Sequence, residues 1–251
     1  MEKIVIEVCC GSVDDAVRAA EAGVDRIELN AALYVGGLTP SVGAVLETKA
    51  RVNIPVVCMI RPRAGGFCYT ALEFETMLRD TQELAKAGAD SFAVGFLTEE
   101  GWLDEERCKI WAEAASGKEM VFHRAFDIMK NLPEEVLPRL AEIGFKRILT
   151  SGRELSAPAG ADMIRRCVEV GAVEVLAGGG VRGENVGELI RRTGCRQVHF
   201  TCHTKVSDAS VRDAQLSFGL PNAPNEQEKF DIIDNEKLTE LIRLIRTLTL
   251  P

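Results

Sequence analysis

Five times along this chain a helix-like stretch ends in glycine and a strand-like stretch begins at once. The junctions are Ala22-Gly23-Val24-Asp25-Arg26, Ala87-Gly88-Ala89-Asp90-Ser91, Ile143-Gly144-Phe145-Lys146-Arg147, Val170-Gly171-Ala172-Val173 and Thr193-Gly194-Cys195-Arg196. Glycine just past a helix end is the usual left-handed cap, so each junction marks a helix stop followed by a strand. Apolar runs that read as buried strands start near residues 4, 26, 55, 91, 120, 147, 173 and 197. Helix candidates between them run about 12–22, 41–51, 71–87, 104–115, 134–143, 160–170 and 184–193, with a last one near 235–248. Ser12, Ser41, Thr70 and Asp104 stand at helix starts as capping residues. Eight alternations without a switch to hairpins imply parallel strands, either in an open doubly wound sheet or in a closed barrel.

Buried charge decides between the two. Glu7 lies in Ile4-Val5-Ile6-Glu7-Val8-Cys9, Glu28 in Ile27-Glu28-Leu29, and Arg61 closes Val57-Cys58-Met59-Ile60-Arg61. His123 and Arg124 follow Met120-Val121-Phe122, and His199 sits in Val198-His199-Phe200-Thr201. A lone buried carboxylate costs several kcal/mol against a total stability of about 5–15 kcal/mol. Such groups persist together when they face one another, and only a closed ring gathers early, middle and late strands. The expectation is a single (β/α)8 TIM barrel spanning residues 1–251, a length typical of that fold. A long polar segment at about 204–234, between strand eight and the last helix, reads as a lid, a contact surface or partly disordered chain.

Residues two apart in a strand share a face, which groups Glu7 with Cys9, Glu28 with Asn30, and His199 with Thr201 and His203. Joined at a barrel mouth by Arg61 and His123, these groups suit acid–base work, or they form an internal salt-bridge layer. Phe122-His123-Arg124-Ala125-Phe126-Asp127 concentrates a proton carrier, an anion clamp and, in Asp127, a base or orienting partner, unless Arg124 and Asp127 simply pair to close a loop. Arg61 and Arg63 flank Pro62, which limits where both guanidiniums can go; they read as anion clamps or, alternatively, as partners of Glu7 or Glu28. Gly178, Gly179 and Gly180 form a glycine turn before a helix, which reads either as an anion cradle, with Thr150 and Ser151 as further donors, or as a tight turn with no ligand.

The acidic balance, net −8 with no lysine or arginine run, argues against nucleic acid and anionic membranes as partners. No apolar stretch reaches membrane-spanning length, and a strand begins so early that no signal or transit peptide is expected. The eight scattered cysteines suit a reducing cytoplasm better than a disulfide framework. Among metal donors, Cys9 with one or two histidines is the plausible set, and soft thiolate suits Cu(I) or zinc. Three functions emerge: binding of a soft metal ion at Cys9, an enzyme acting on a small anionic carbonyl or sugar compound, phosphorylated or not, or a scaffold or interaction protein using the 204–234 segment. The enzyme would use Glu7, Glu28 and His123 for proton transfer and Arg61 and Arg124 as clamps.

The chain resembles the CutC copper-homeostasis family over essentially its whole length. The likeness rests on Glu7-Val8-Cys9, Asp25-Arg26-Ile27-Glu28-Leu29, Gly36-Gly37-Leu38-Thr39-Pro40-Ser41, Met59-Ile60-Arg61-Pro62-Arg63, Phe122-His123-Arg124-Ala125-Phe126-Asp127, Leu149-Thr150-Ser151-Gly152 and Gly178-Gly179-Gly180. The resemblance implies a (β/α)8 barrel, a cytoplasmic homodimer or higher homo-oligomer, and Cu(I) bound through cysteine. Many members end strands one and two in cysteine. Here Cys9 keeps the first position and Asn30 takes the second, which departs from a two-thiolate site.

Overall fold

The computed structural model describes residues 3–211 and 229–248. Eight strands close a parallel barrel in sequence order: β1 (Val5–Cys10), β2 (Arg26–Leu29), β3 (Val56–Met59), β4 (Ser91–Val94), β5 (Glu119–Phe122), β6 (Phe145–Thr150), β7 (Glu174–Gly178) and β8 (Gln197–Phe200), with β8 pairing back onto β1. The closed ring expected from the spread of buried charge is the ring observed. Helices α1 (Val13–Ala22), α2 (Val42–Lys49), α3 (Ala71–Lys86), α4 (Glu105–Ala114), a single turn α5 (Ala125–Ile128), α6 (Pro133–Ile143), α7 (Ala161–Val170), α8 (Gly183–Thr193) and α9 (Asn235–Thr247) surround it. Ser12, Ser41 and Asp104 accept the expected backbone hydrogen bonds at their helix starts, and Thr70 with Glu73 forms a complete capping box. Gly23 and Gly144 stop α1 and α6 at φ of 89° and 108°, where a Cβ is strained.

Most of the apolar core lies between the strands and the helices. Trp111 is its largest wholly buried side chain, its indole N–H donating to Thr81 Oγ1 at 2.8 Å. The lumen is divided. Val57, Met59, Ala93, Val121, Leu149 and Leu176, from β3 to β7, form an apolar sector. Glu7, Cys9, Glu28, Gln197 and His199, from β8, β1 and β2, are buried opposite it. Arg147 extends the polar sector toward the strands' N-terminal ends, pairing with Glu119 and with Glu174.

Two elements were not expected. One is the α5 turn after β5. The other is an antiparallel pair, β9 (His203–Ser207) with β10 (Lys229–Ile233), within the polar 204–234 segment. Asp15 of α1 anchors it by accepting the Ile233 backbone N–H at 2.8 Å. Residues 212–228 of that segment lie outside the described residues. Among the described residues no helix is long and apolar enough to cross a membrane.

Candidate active site at the barrel mouth

Strand register assembles a carboxylate–imidazole–carboxylate row. Glu7 lies beside His199 in the β1–β8 ladder, and Cys9 beside Glu28 in the β1–β2 ladder. His199 Nδ1 is 2.7 Å from Glu7 Oε1, and its Nε2 is 3.8 Å from Glu28 Oε2. Arg26 backs the row by donating to Glu7 through Nε and to Gln197 Oε1 through Nη2 at 2.9 Å. In front, the Cys9 thiol donates to Glu28 Oε2 at 3.6 Å, and Asn30 Nδ2 donates to the same oxygen at 3.0 Å and to Cys9 Sγ at 3.3 Å. Gly178 makes room: a Cβ there would lie 3.2 Å from that of His199.

The two carboxylates are driven apart. Burial pushes Glu7 up, but the Arg26 guanidinium and the His199 ring together hold it down at about 2. Burial and the neighbouring Glu7 raise Glu28 against the pull of His199. Burial alone lowers His199, yet Glu28 and Glu7 on either side lift it above the ordinary imidazole value. Burial, then Glu28, pushes the Cys9 thiol well up, so it keeps its proton.

A group whose pKa rises on folding contributes stability that is complete below its unfolded value, here 6.5, and is lost as pH climbs through the folded value. The urea midpoint should therefore fall as pH rises above about 6.5. Glu7→Gln should flatten that fall and lower the His199 pKa in an NMR titration. A wild-type His199 that is already neutral near pH 6.5 would contradict the assignment.

Cations from the strand-exit loops form the opposing wall. The Arg61 guanidinium donates to Val35 O at 2.9 Å, Gly37 O at 3.0 Å and Gly65 O at 2.7 Å, tying together the loops after β2 and β3. Arg61 thus does not make the alternative pairing with Glu7 or Glu28. Arg26, one layer below the mouth, is the partner of Glu7. Arg63 turns away to pair with Glu73.

Asp127 sits in a nest, accepting from the Thr150 hydroxyl, from the Ser151 and Arg153 backbone N–H groups at 3.1 Å each, and from Arg124 Nε at 2.8 Å. Arg124 Nη2 also donates to Ser151 Oγ at 2.7 Å. Asp127, Thr150 and Ser151 thereby hold Arg124 and the loop after β6. Gly179 allows the next loop to close in, since a Cβ there would lie 3.1 Å from Ser151 Cβ and 3.7 Å from Arg124 Cζ. The mouth encloses a cavity of about 420 Å³ lined by Cys9, Glu28, Arg61, His123, Arg124, Gly179, Gly180, Arg182 and His199, with His203 and Asp231 from the β9–β10 pair.

The residue reading missed Arg26, Gln197 and Arg147. The two-residue alternation carried a signal for the first two, because Arg26 precedes Glu28 by two and Gln197 precedes His199 by two.

For copper, ligand atoms of Cys9, Glu28 and His199 all lie within 4.8 Å of one another. One thiolate and one imidazole fit a single Cu(I), provided Cys9 gives up its proton, and the carboxylate makes the set a mixed one. Asn30 offers no second thiolate, and its amide already occupies the space between Cys9 and Glu28.

Comparison with known proteins agrees with this architecture. The CutC family model matches residues 4–204. A CutC family protein from Treponema denticola is 39% identical over 251 residues, covering 99% of this chain and all of its own. The human protein named copper homeostasis protein cutC homolog is 38% identical over 218 residues, 86% of this chain and 80% of its own. The crystal structure of CutC from Streptococcus agalactiae superposes with a TM-score of 0.74 at 33% identity, covering 78% of this chain and 98% of the other. N-(5'-phosphoribosyl)anthranilate isomerase from Pyrococcus furiosus shares the fold at 17% identity and a TM-score of 0.55, covering 98% and 100% of the two chains. With the family model reaching from the first strand past the last strand of the ring, this chain belongs to the CutC family.

Proposed function

We propose that the barrel mouth binds a small anionic organic molecule and that Glu28 exchanges a proton with it. One observation carries this reading: a single imidazole is held between two carboxylates, one backed by a guanidinium and the other facing a cation-walled cavity. An acid–base residue needs a pKa shifted toward the working pH, and a fixed partner to set its proton affinity. Glu28, raised and lining the cavity, fits the first role, and the Glu7–His199 pair fits the second. Arg124, Arg182 and the glycine turn supply positive charge and backbone amides for the anion.

Thermal-shift screening of anionic metabolites is expected to find compounds that raise the wild-type melting temperature. Glu28→Gln should fold normally and lose about 10²–10⁴-fold of any turnover of the compound found, the range for removing an acid–base group. A library that stabilises nothing would defeat the reading.

The Cys9–Glu28–His199 cluster supports a second reading, in which Cys9 and His199 hold one Cu(I). Titration of reduced protein against a colorimetric Cu(I) chelator should then give one equivalent bound, and Cys9→Ser should weaken it by at least about tenfold. Unchanged affinity in Cys9→Ser would remove the site. We place the protein in the cytoplasm, a location its eight free cysteines suit, and as a homodimer or higher homo-oligomer, which sedimentation equilibrium would test.

A further inference from the structure

His123 and Arg61 both pack against Phe67. The His123 ring centre is 4.7 Å from that of Phe67, and the Arg61 guanidinium carbon is 5.3 Å from the same ring. Each carries a buried N–H that nothing satisfies: His123 Nε2 and Arg61 Nε have no hydrogen-bond partner. Buried donors are paired in nearly all native structures, so two orphans in one cavity wall need an explanation.

The tautomer of His123 follows from its other nitrogen. Nδ1 accepts the Ala125 backbone N–H at 3.2 Å, so it carries no proton and Nε2 must. Gly95 packs on the same edge, where an added Cβ would come within 2.7 Å of both Cε1 and Nδ1. The Nε2–Cδ2 edge is what remains to line the cavity. Burial and the Arg61 charge hold His123 down at about 3, which agrees with a neutral ring. His123 is therefore a fixed donor, and the proton-carrier role expected from its place in the Phe122–Asp127 segment passes to Glu28 and His199.

We infer that Arg61 Nε–H and His123 Nε2–H cradle a carbonyl oxygen of the ligand, and that the ligand is a small anion carrying such a carbonyl. The inference deepens the proposed function and rests on it. The chemistry of the wall makes the choice. Both orphans are donors, and Phe67 and Gly95 beside His123 offer no side-chain acceptor; the Tyr69 hydroxyl near Arg61, kept protonated by burial, is itself unpartnered. A carbonyl oxygen accepts from both donors and needs no acceptor in return, whereas a hydroxyl finds none beside His123. Charged oxygens go to Arg124, Arg182 and the glycine turn elsewhere on the rim. Two donors sharing one oxygen would also stabilise the negative charge it gains if a proton leaves the neighbouring carbon.

Matched probes test this: dihydroxyacetone phosphate against glycerol 3-phosphate, and pyruvate against lactate, each titrated calorimetrically into the wild type. The carbonyl member of at least one pair should bind about tenfold tighter or better, and the pair that responds tells a phosphate from a carboxylate anchor. His123→Phe should bring the ratio to near one, and His123→Gln, which keeps an N–H, should restore part of it. Equal binding within both pairs overturns the carbonyl cradle and leaves the anion site standing. Binding of no probe overturns the cradle and counts against the anion site itself. Independently of any ligand, long-range ¹H–¹⁵N NMR of the wild type should show His123 protonated at Nε2 only. A proton on Nδ1, or titration to imidazolium between about pH 6 and 8, also overturns it.

Discussion

Replacing Arg26 with methionine should lower the unfolding free energy by about 3–5 kcal/mol, the cost of stripping a buried carboxylate of its counter-ion. Glu7 is 1% exposed, and Arg26, level with it on the neighbouring strand, is the cation donating to it. Without that guanidinium the Glu7 pKa must rise, so the variant regains stability relative to wild type as pH falls through the range where Glu7 takes up a proton. Adding Glu7→Gln removes the stranded charge and should restore more than half of the loss. Urea melts read all three proteins, with the midpoint falling while the slope holds. A single substitution costing under about 1 kcal/mol would mean that the row is not electrostatically coupled.

Asp127→Ala should rival that effect, at about 3–5 kcal/mol, for a different reason. Its carboxylate satisfies the Ser151 and Arg153 backbone N–H groups and the Thr150 hydroxyl. Each buried donor left unpaired costs about 1–3 kcal/mol. Asp127→Asn retains one acceptor oxygen and should lose less than half as much. Hydrogen exchange at the Ser151 and Arg153 amides should accelerate in the alanine variant. If those amides stay protected while stability drops, the nest is not the source of the loss. Arg124, released from Asp127, should also hold an anion more weakly.

Much of this architecture is readable from the chain because the same local rules recur. A glycine that ends α1 or α6 followed at once by an apolar run fixes where helix gives way to strand, and alternation within β1, β2 and β8 puts Glu7, Glu28 and His199 on inward faces. What alternation lacks is depth. Arg26 shares a face with Glu28 but sits one layer lower, level with Glu7 in the β1–β2 register. Pairing across strands depends on barrel stagger, which no single strand encodes. Charge alone therefore offers Arg61 as a partner for Glu7, while its terminal guanidinium N–H groups go to loop carbonyls whose positions depend on the whole fold. The β9–β10 pair was missed because Lys205, Ser207, Lys229 and Asp231 dilute its apolar signal and its strands lie far apart in sequence.

The split lumen has a bearing on how the protein matures. Its greasy half is built by strands adjacent in sequence, whereas the reactive half joins groups 192 residues apart, Glu7 and His199. Contacts spanning so much chain demand the largest loss of loop entropy and come late. A partially folded intermediate would own a hydrophobic trough and no chemistry, so the appearance of ligand affinity during refolding should coincide with the final seam between β1 and β8.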